Sequence, residues 1–176
     1  MNEPVSIRRH LFLTGERGVG KSTLLHRLID IKGLDCAGFE TRHVEIDGLR
    51  KAHMLHGLVD LPEFENDCIC CVRVGEKHSV PVLPVFEENG ILILEKSLSS
   101  PAPFILMDEL GRLERDAHGF IAQVNACLDS NKRVLGVLQR CSAAHVQAIS
   151  AREDVAVLTV TPENRDELLE HLLNLL

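Results

Sequence analysis

Short aliphatic runs alternate with stretches of helical spacing along most of this chain. The run His10-Leu-Phe-Leu-Thr14 ends at Gly15. Beyond it, Leu24, Leu25 and Leu28 repeat at intervals of three and four residues, as on one face of a helix. The beginning of the chain therefore predicts a strand, a glycine loop and a helix, in that order.

The middle of the chain changes pattern twice. Between Gly38 and Leu61 the spacing becomes β-like around a turn signal at Asp47-Gly48, which predicts a hairpin-like pair of strands. Residues 62–85 contain three prolines and no sustained period. We therefore expect an irregular segment there, and it carries the sequence Cys68-Ile-Cys-Cys71.

The second half of the chain alternates regularly between the two patterns. A helix is predicted over Phe86–Leu98, interrupted at Gly90, and a buried strand over Phe104–Met107 that ends in Asp108-Glu109. The remaining predicted elements are helices at about 117–129 and 143–151, strands at 133–138 and 155–160, and a last helix from Pro162 onward. This order predicts a single α/β domain over residues 1–176, with a mostly parallel sheet and helices on both faces.

Composition narrows the function classes. The 176 residues include six Phe but neither Trp nor Tyr, so we expect a core built from Leu, Ile, Val and Ala and no aromatic platform for single-stranded nucleic acid. A net charge of −7 argues against non-specific binding to nucleic acid or to an anionic membrane. No signal peptide and no run of about 20 apolar residues occurs, so we expect a cytoplasmic protein.

The glycine loop carries the strongest chemical signal. Its sequence Gly15-Glu-Arg-Gly-Val-Gly-Lys-Ser22 fits G-x-x-x-x-G-K-[ST], between a predicted strand and a predicted helix. Backbone N–H groups of such a loop converge on phosphate oxygens, Lys21 reaches the β and γ phosphates, and the Ser22 hydroxyl holds Mg²⁺. The residues expected to contact a nucleoside triphosphate here are Gly15, Glu16, Arg17, Gly18, Val19, Gly20, Lys21 and Ser22.

Two carboxylates close the predicted strand that begins at Phe104. Asp108 suits the shell of a phosphate-bound Mg²⁺, and Glu109 suits a general base that activates water against the γ phosphate. A base at this place favours hydrolysis over phosphoryl transfer to a bound acceptor. The alternative is that the pair is simply a solvated strand end.

Two further pairs are weaker candidates. Gln139 and Arg140 end the next strand, where Gln139 would face the γ phosphate and Arg140 would add charge to the transition state. Asn164 and Arg165 follow the last strand and would cover the nucleotide base. Both pairs are equally compatible with ordinary loop residues or a polar helix start.

Three blocks resemble one family. Leu11–Leu25, Phe104–Glu114 and Val155–Leu168 are similar to blocks of the small nucleoside-triphosphatase family first described in thermophiles, which includes the human cancer-related nucleoside-triphosphatase. The resemblance implies a RecA-like fold and slow Mg²⁺-dependent hydrolysis of ATP, GTP and other nucleoside triphosphates. It also implies that Thr23 binds phosphate or metal, in addition to the loop residues named above. For Asp108 and Glu109 it implies contacts with the metal ion and the attacking water. The sequence Val74-Gly-Glu-Lys77 departs from the family because it lacks a tyrosine.

The cysteine cluster indicates a second possible function, metal binding. Cys68, Cys70 and Cys71 resemble the Cys-x-Cys-Cys of metal-chaperone GTPases of the CobW type, and thiolates select Zn²⁺ and similar metals. The alternative is that they are small buried hydrophobic residues. A nucleotide-dependent metal carrier is therefore the second hypothesis for this chain, after a triphosphatase. A nucleotide or small-molecule kinase is a weaker third, because no Arg-rich lid is visible.

Overall fold

The computed structural model describes residues 8–46, 49–74 and 78–176. One eight-stranded sheet forms its centre. Its strands are β1 (His10–Thr14), β2 (Cys36–Ile46), β3 (Leu49–Gly57), β4 (Asp67–Val74), β5 (His78–Pro81), β6 (Phe104–Leu110), β7 (Arg133–Leu138) and β8 (Val155–Thr159). In the described part of the chain, no helix is long and apolar enough to cross a membrane.

Seven helices lie between or after the strands within the described ranges. They are α1 (Lys21–Lys32), α2 (Glu63–Asn66), α3 (Leu83–Val85), α4 (Ile91–Ser99), α5 (His118–Asp129), α6 (Ala144–Ser150) and α7 (Arg165–Leu175). A π-helical stretch, Phe86–Gly90, joins α3 to α4, at the place where Gly90 was predicted to interrupt one helix. The last helix begins at Arg165, so the prediction that it starts at Pro162 is wrong. Thr161 and Asn164 instead bond reciprocally, side chain to backbone, in a turn before it.

The sheet has a parallel part and an antiparallel part. Strand order is β5-β4-β3-β2-β6-β7-β1-β8, and the five strands from β2 to β8 in this order pair in parallel. Strands β3, β4 and β5 extend one edge as an antiparallel meander. The predicted α/β fold with a mostly parallel sheet is confirmed, and so is the pairing of β2 with β3. The predicted turn at Asp47-Gly48 and the departure at residues 75–77 lie outside the described residues.

Helices cover both faces of the sheet because side chains alternate along each strand. On β1, Phe12 faces a core shared with Phe39 and Phe120, on the side of α4 and α5. Leu13 faces the other side, where it packs in one cluster with Leu25 of α1 and Leu172 of α7. Burying each of these side chains contributes roughly 1.5–3 kcal/mol. Both faces of β1 are thus closed, and only its carboxyl end opens toward solvent.

The prediction of an irregular segment at 62–85 is wrong over β4. The cysteines lie on this strand, which pairs with β3 on one side and β5 on the other. The register shifts at Cys70, since Ile69 pairs with Met54 while Cys71 pairs with His53. One extra residue in a strand is a β-bulge, and such a residue has no periodic signature in sequence.

Candidate functional site

The glycine loop joins the carboxyl end of β1 to the first turn of α1. Gly15 has φ of 145° and Gly20 has φ of 97°, values that side chains with a Cβ rarely adopt. A Cβ at Gly15 would also collide with the carbonyl oxygen of Val160. The loop therefore needs glycine at both positions, and it leaves the first N–H groups of α1 pointing out of the helix end.

Lys21 turns back over the loop that precedes it. Its Nζ donates hydrogen bonds to the carbonyl oxygens of Gly15 at 3.0 Å and Glu16 at 2.9 Å. The residue is 8% exposed, so the ammonium group lies inside the curve of the loop rather than in solvent. This is the position in which an ammonium group can neutralise phosphate oxygens.

Asp108 is buried and held from α1 by two side chains. Ser22 Oγ donates to Asp108 Oδ1 at 2.9 Å, and His26 Nε2 lies 3.2 Å from Asp108 Oδ2. His26 Nε2 is also 3.5 Å from Glu40 Oε2. The hydrogen bond to Asp108 raises the pKa of His26 above its ordinary value, against the opposing effect of burial. Sequence reasoning missed His26, although its position four residues after Ser22 places both on one helix face.

Glu109 contacts the residue that follows β7. Its carboxylate accepts a hydrogen bond from the amide of Gln139 at the end of that strand. Burial raises the pKa of Glu109 above its ordinary value, while the bond from Gln139 lowers it in part. The Gln139 carbonyl accepts from the Arg112 N–H at 3.3 Å, which fixes the orientation of the amide. A carboxyl group of this kind accepts a proton more readily than an exposed one.

Two buried side chains, Glu114 and His145, stabilise the loop after β6. Glu114 is 3% exposed and its carboxylate accepts from the Gly111 N–H. The same oxygen lies 3.2 Å from Nε2 of the buried His145 on α6. These contacts hold the turn that follows Glu109. Sequence offers no local signal for His145, because it is 31 positions away from its partner.

One cleft of about 500 Å³ contains most of the predicted residues. Lys21, Ser22, Asp108, Glu109 and Gln139 line it together with the glycine loop. Sequence reasoning missed the opposite wall, which comes from the antiparallel part of the sheet. That wall consists of Thr41, His43, His53 and Ser79.

The weaker candidates occupy the rim. Arg140 Nη1 pairs with Glu16 Oε1 at 2.6 Å across the mouth of the loop, and both side chains are largely exposed. Arg165 Nη1 lies 3.9 Å from the position that a Cβ on Gly20 would take. Asn164 bonds to the Thr161 N–H and the Thr159 carbonyl, so its side chain serves the turn before α7.

The three cysteines do not form a shared site. Cys70 and Cys71 are fully buried, and the bulge allows both adjacent side chains to be covered. Burial raises the pKa of Cys70 to about 12 and also raises that of Cys71. No group of three or more His, Cys, Asp or Glu side chains within the described ranges is arranged to hold a metal ion. Zinc binding by Cys68, Cys70 and Cys71 is therefore unsupported, and packing in the core accounts for the positions of Cys70 and Cys71.

Known proteins resemble this chain over nearly its whole length. The family described as NTPase matches residues 10–173. The nucleoside-triphosphatase THEP1 of Thermotoga sp. (strain RQ2) is 31% identical, with 94% of each chain covered. The cancer-related nucleoside-triphosphatase of Homo sapiens is 31% identical, with 92% of this chain and 93% of that protein covered. The crystal structure of THEP1 from Aquifex aeolicus matches with a TM-score of 0.74 at 27% identity, covering 95% of this chain and 98% of that one.

Proposed function

This chain belongs to the NTPase family, and from that premise we propose that it hydrolyses nucleoside triphosphates to diphosphate and phosphate in the cleft described above. The observation that carries the proposal is the meeting of three elements at one point. The glycine loop, Asp108 and Glu109 line one cleft, with a Ser22–Asp108 hydrogen bond of 2.9 Å between the first two. Phosphate contacts, metal ligands and a base are the parts that triphosphate hydrolysis needs.

The loop supplies phosphate binding. Backbone N–H groups from Gly15 to Gly20 cradle the α and β phosphates, at the positive end of α1. Lys21 exchanges its bonds with the loop carbonyls for oxygens of the β and γ phosphates. Glu16, Arg17, Gly18 and Thr23 line the same cleft. The predicted contact of Val19 is corrected, because its side chain is buried in the core cluster with Leu24 and Leu25.

The donor set around Ser22 fits Mg²⁺. A hydroxyl oxygen and a carboxylate oxygen 2.9 Å apart are hard ligands, and Mg²⁺ characteristically takes one or two protein oxygens together with substrate phosphates and water. Ser22 and Asp108 would hold it, with His26 orienting the carboxylate of Asp108. When bound, Mg²⁺ supplies positive charge to the β and γ phosphates.

Glu109 acts as the general base. Its carboxylate accepts a proton from a water molecule as that oxygen bonds to the γ phosphorus, and the bond from the γ phosphorus to the β-phosphate oxygen breaks. The nucleoside diphosphate leaves with the electron pair of that bond. Gln139 holds the Glu109 carboxylate in place, because its amide donates to one carboxylate oxygen while its carbonyl is fixed by Arg112.

Charge at the rim assists both binding and reaction. Arg140 pairs with Glu16 of the loop, and it would exchange that ion pair for a phosphate oxygen in the transition state. Arg165 borders the loop at Gly20, and this proximity supports its predicted contact with the nucleotide. Asn164 supports Arg165 through the turn that it closes, and its predicted contact with the base stays a prediction.

Phosphate release from ATP, GTP, CTP and UTP tests the proposal, with Mg²⁺ or with EDTA. Wild type should release phosphate only with Mg²⁺. Lys21→Ala should lose turnover, since Lys21 serves phosphate charge and little core, whereas Lys96→Ala, an exposed position on α4, should match wild type. Normal turnover by Lys21→Ala, or no hydrolysis of any nucleotide by wild type, would overturn the assignment.

A further inference from the structure

The cleft extends beyond the residues that a triphosphate and an attacking water require. Its far wall, here called the histidine wall, consists of Thr41, His43, His53 and Ser79. These side chains come from β2, β3 and β5, in the antiparallel part of the sheet. The hydrolytic reaction as derived uses none of them.

The wall is built by the register of the strands. His43 on β2 pairs with His53 on β3, and their rings pack edge to face with centroids 4.5 Å apart. Thr41 precedes His43 by two positions and therefore lies on the same face of the sheet. On β4, Cys71 pairs with His53, and Pro81 of β5 pairs with Cys71. The four polar side chains of the wall thus share one face across neighbouring strands.

Arg112 brings positive charge to this face of the sheet. Burial raises the pKa of Cys71, but a hydrogen bond with Ser79 and the charge of Arg112 act against it. Arg112 is therefore close to Cys71 on β4. It lines the same cleft and follows Glu109 by three residues.

Strand order tells which end of a nucleotide faces the histidine wall. The loop after β1 holds the α and β phosphates, and Asp108 and Glu109 lie two strands away, on β6, where the γ phosphate must be. The wall begins on β2, one strand farther in the same direction. The nucleoside is attached to the α phosphate, at the opposite end, so the wall faces the space beyond the γ phosphate.

We propose that the histidine wall, with Arg112, is a second ligand site that takes a phosphate group while a nucleoside triphosphate occupies the loop. Hydroxyl groups, imidazole N–H groups and a guanidinium are the donors that bind phosphate oxygens. The inference rests on the proposed function, because the loop defines the first site. The phosphate group would belong either to released inorganic phosphate or to a phosphomonoester of a second molecule.

The test uses the full chain loaded with Mg²⁺ and a β,γ-imido triphosphate analogue, which fills the γ position and is not hydrolysed. Inorganic phosphate and glycerol 3-phosphate are titrated separately, with the ring NMR signals of the histidines as readout. Saturable binding that shifts the His43 and His53 signals, but not those of His118 on α5, is expected. Binding of inorganic phosphate alone assigns the site to the released product, and binding of the monoester assigns it to a second substrate or effector.

Two variants separate the site from the fold. His43→Ala with His53→Ala should weaken phosphate binding by at least about 10-fold, the loss expected for a charged or strong hydrogen bond. Arg112→Gln should give a similar loss without disturbing the packing between the strands. His118→Ala serves as the matched control. Binding of the triphosphate analogue is measured in the same samples. A variant that no longer binds the analogue would contradict the proposed function, and this result is distinct from loss of phosphate binding alone.

The proposal is overturned by either of two results. One is no saturable binding of either probe to the analogue-loaded wild type. The other is binding that neither the double histidine variant nor Arg112→Gln weakens.

Discussion

Ser22 Oγ donates a hydrogen bond of 2.9 Å to Asp108 Oδ1, and this bond joins the first turn of α1 to β6 across 86 positions of the chain. Because Asp108 is buried and also contacts His26, its carboxylate has little freedom to turn. Both residues line the same cleft as the glycine loop, so the two oxygens are already close together there. Such preorganisation lowers the cost of binding a metal ion together with a nucleotide.

Asp108→Asn should lower the affinity of the enzyme for Mg²⁺. The amide keeps the shape of the side chain but removes its charge, so the Mg²⁺ concentration for half-maximal phosphate release should rise by about 10–100-fold. A Mg²⁺ titration of turnover at saturating nucleotide measures this shift. The control is Asp116→Asn, an exposed position beyond the same strand. An unchanged Mg²⁺ dependence in Asp108→Asn would remove Asp108 from the metal site.

Glu109→Gln should separate binding from chemistry. Glutamine cannot accept the proton of the attacking water, so kcat should fall by about 10²–10⁴-fold while the Mg²⁺–nucleotide complex still binds. Phosphate release and equilibrium binding of a fluorescent nucleotide are measured on the same preparation, with the exposed Glu153→Gln as control. If binding disappears together with turnover, Glu109 is a metal ligand or a structural residue instead.

Cys70→Ser should destabilise the fold more than Cys68→Ser. Cys70 is fully buried at the bulge, so a poorly matched hydroxyl there should lower the free energy of unfolding by about 1–3 kcal/mol. Cys68 is only partly buried, and its change should stay within about 0.5 kcal/mol. Urea unfolding measures both values. A purified protein that holds about one equivalent of zinc, lost when all three cysteines are replaced, would restore the thiolate site.

His10 should make the fold sensitive to acid. Burial lowers its pKa below the ordinary value of 6.5, partly offset by Asp154, and its Nδ1 accepts the Val134 N–H at 3.0 Å. Because the unfolded chain takes up the proton more readily, stability from this group is present above about pH 6.5 and falls as the pH drops through the lowered pKa. One such group contributes at most about 1.4 kcal/mol per pH unit.

The measurement is urea unfolding at pH 7.5 and 5.5. His10→Gln should show a smaller loss of stability between the two values than wild type, and the exposed His171→Gln should show the wild-type loss. Equal losses in wild type and His10→Gln would contradict a buried, neutral His10. Carboxylates with a lowered pKa, such as Asp154 beside Arg152, are protonated only at lower pH. Their contribution to the stability of the fold is therefore lost below the range compared here.

The local pattern of the sequence determined the glycine loop, the elements on either side of it and the position of the two carboxylates. The glycine loop, the strand before it and the helix after it are contiguous, so spacing and residue type define them without reference to the rest of the chain. Asp108 and Glu109 could be placed at a strand end because Phe104–Met107 is a continuous apolar run. The parallel pairing in the second half of the chain followed because helices separate β6, β7 and β8 from one another.

Tertiary structure alone decided which distant residues meet. The bulge at Cys70, the pairing of His43 with His53 and the contact of Glu114 with His145 depend on register and packing, which leave no periodic signature in the chain. The sequence left a thiolate site and buried packing both open for the cysteines for this reason, since one inserted residue lets two adjacent side chains be buried. The histidine wall was invisible for the same reason: its residues are adjacent only across antiparallel strands, and sheet register is set by long-range pairing.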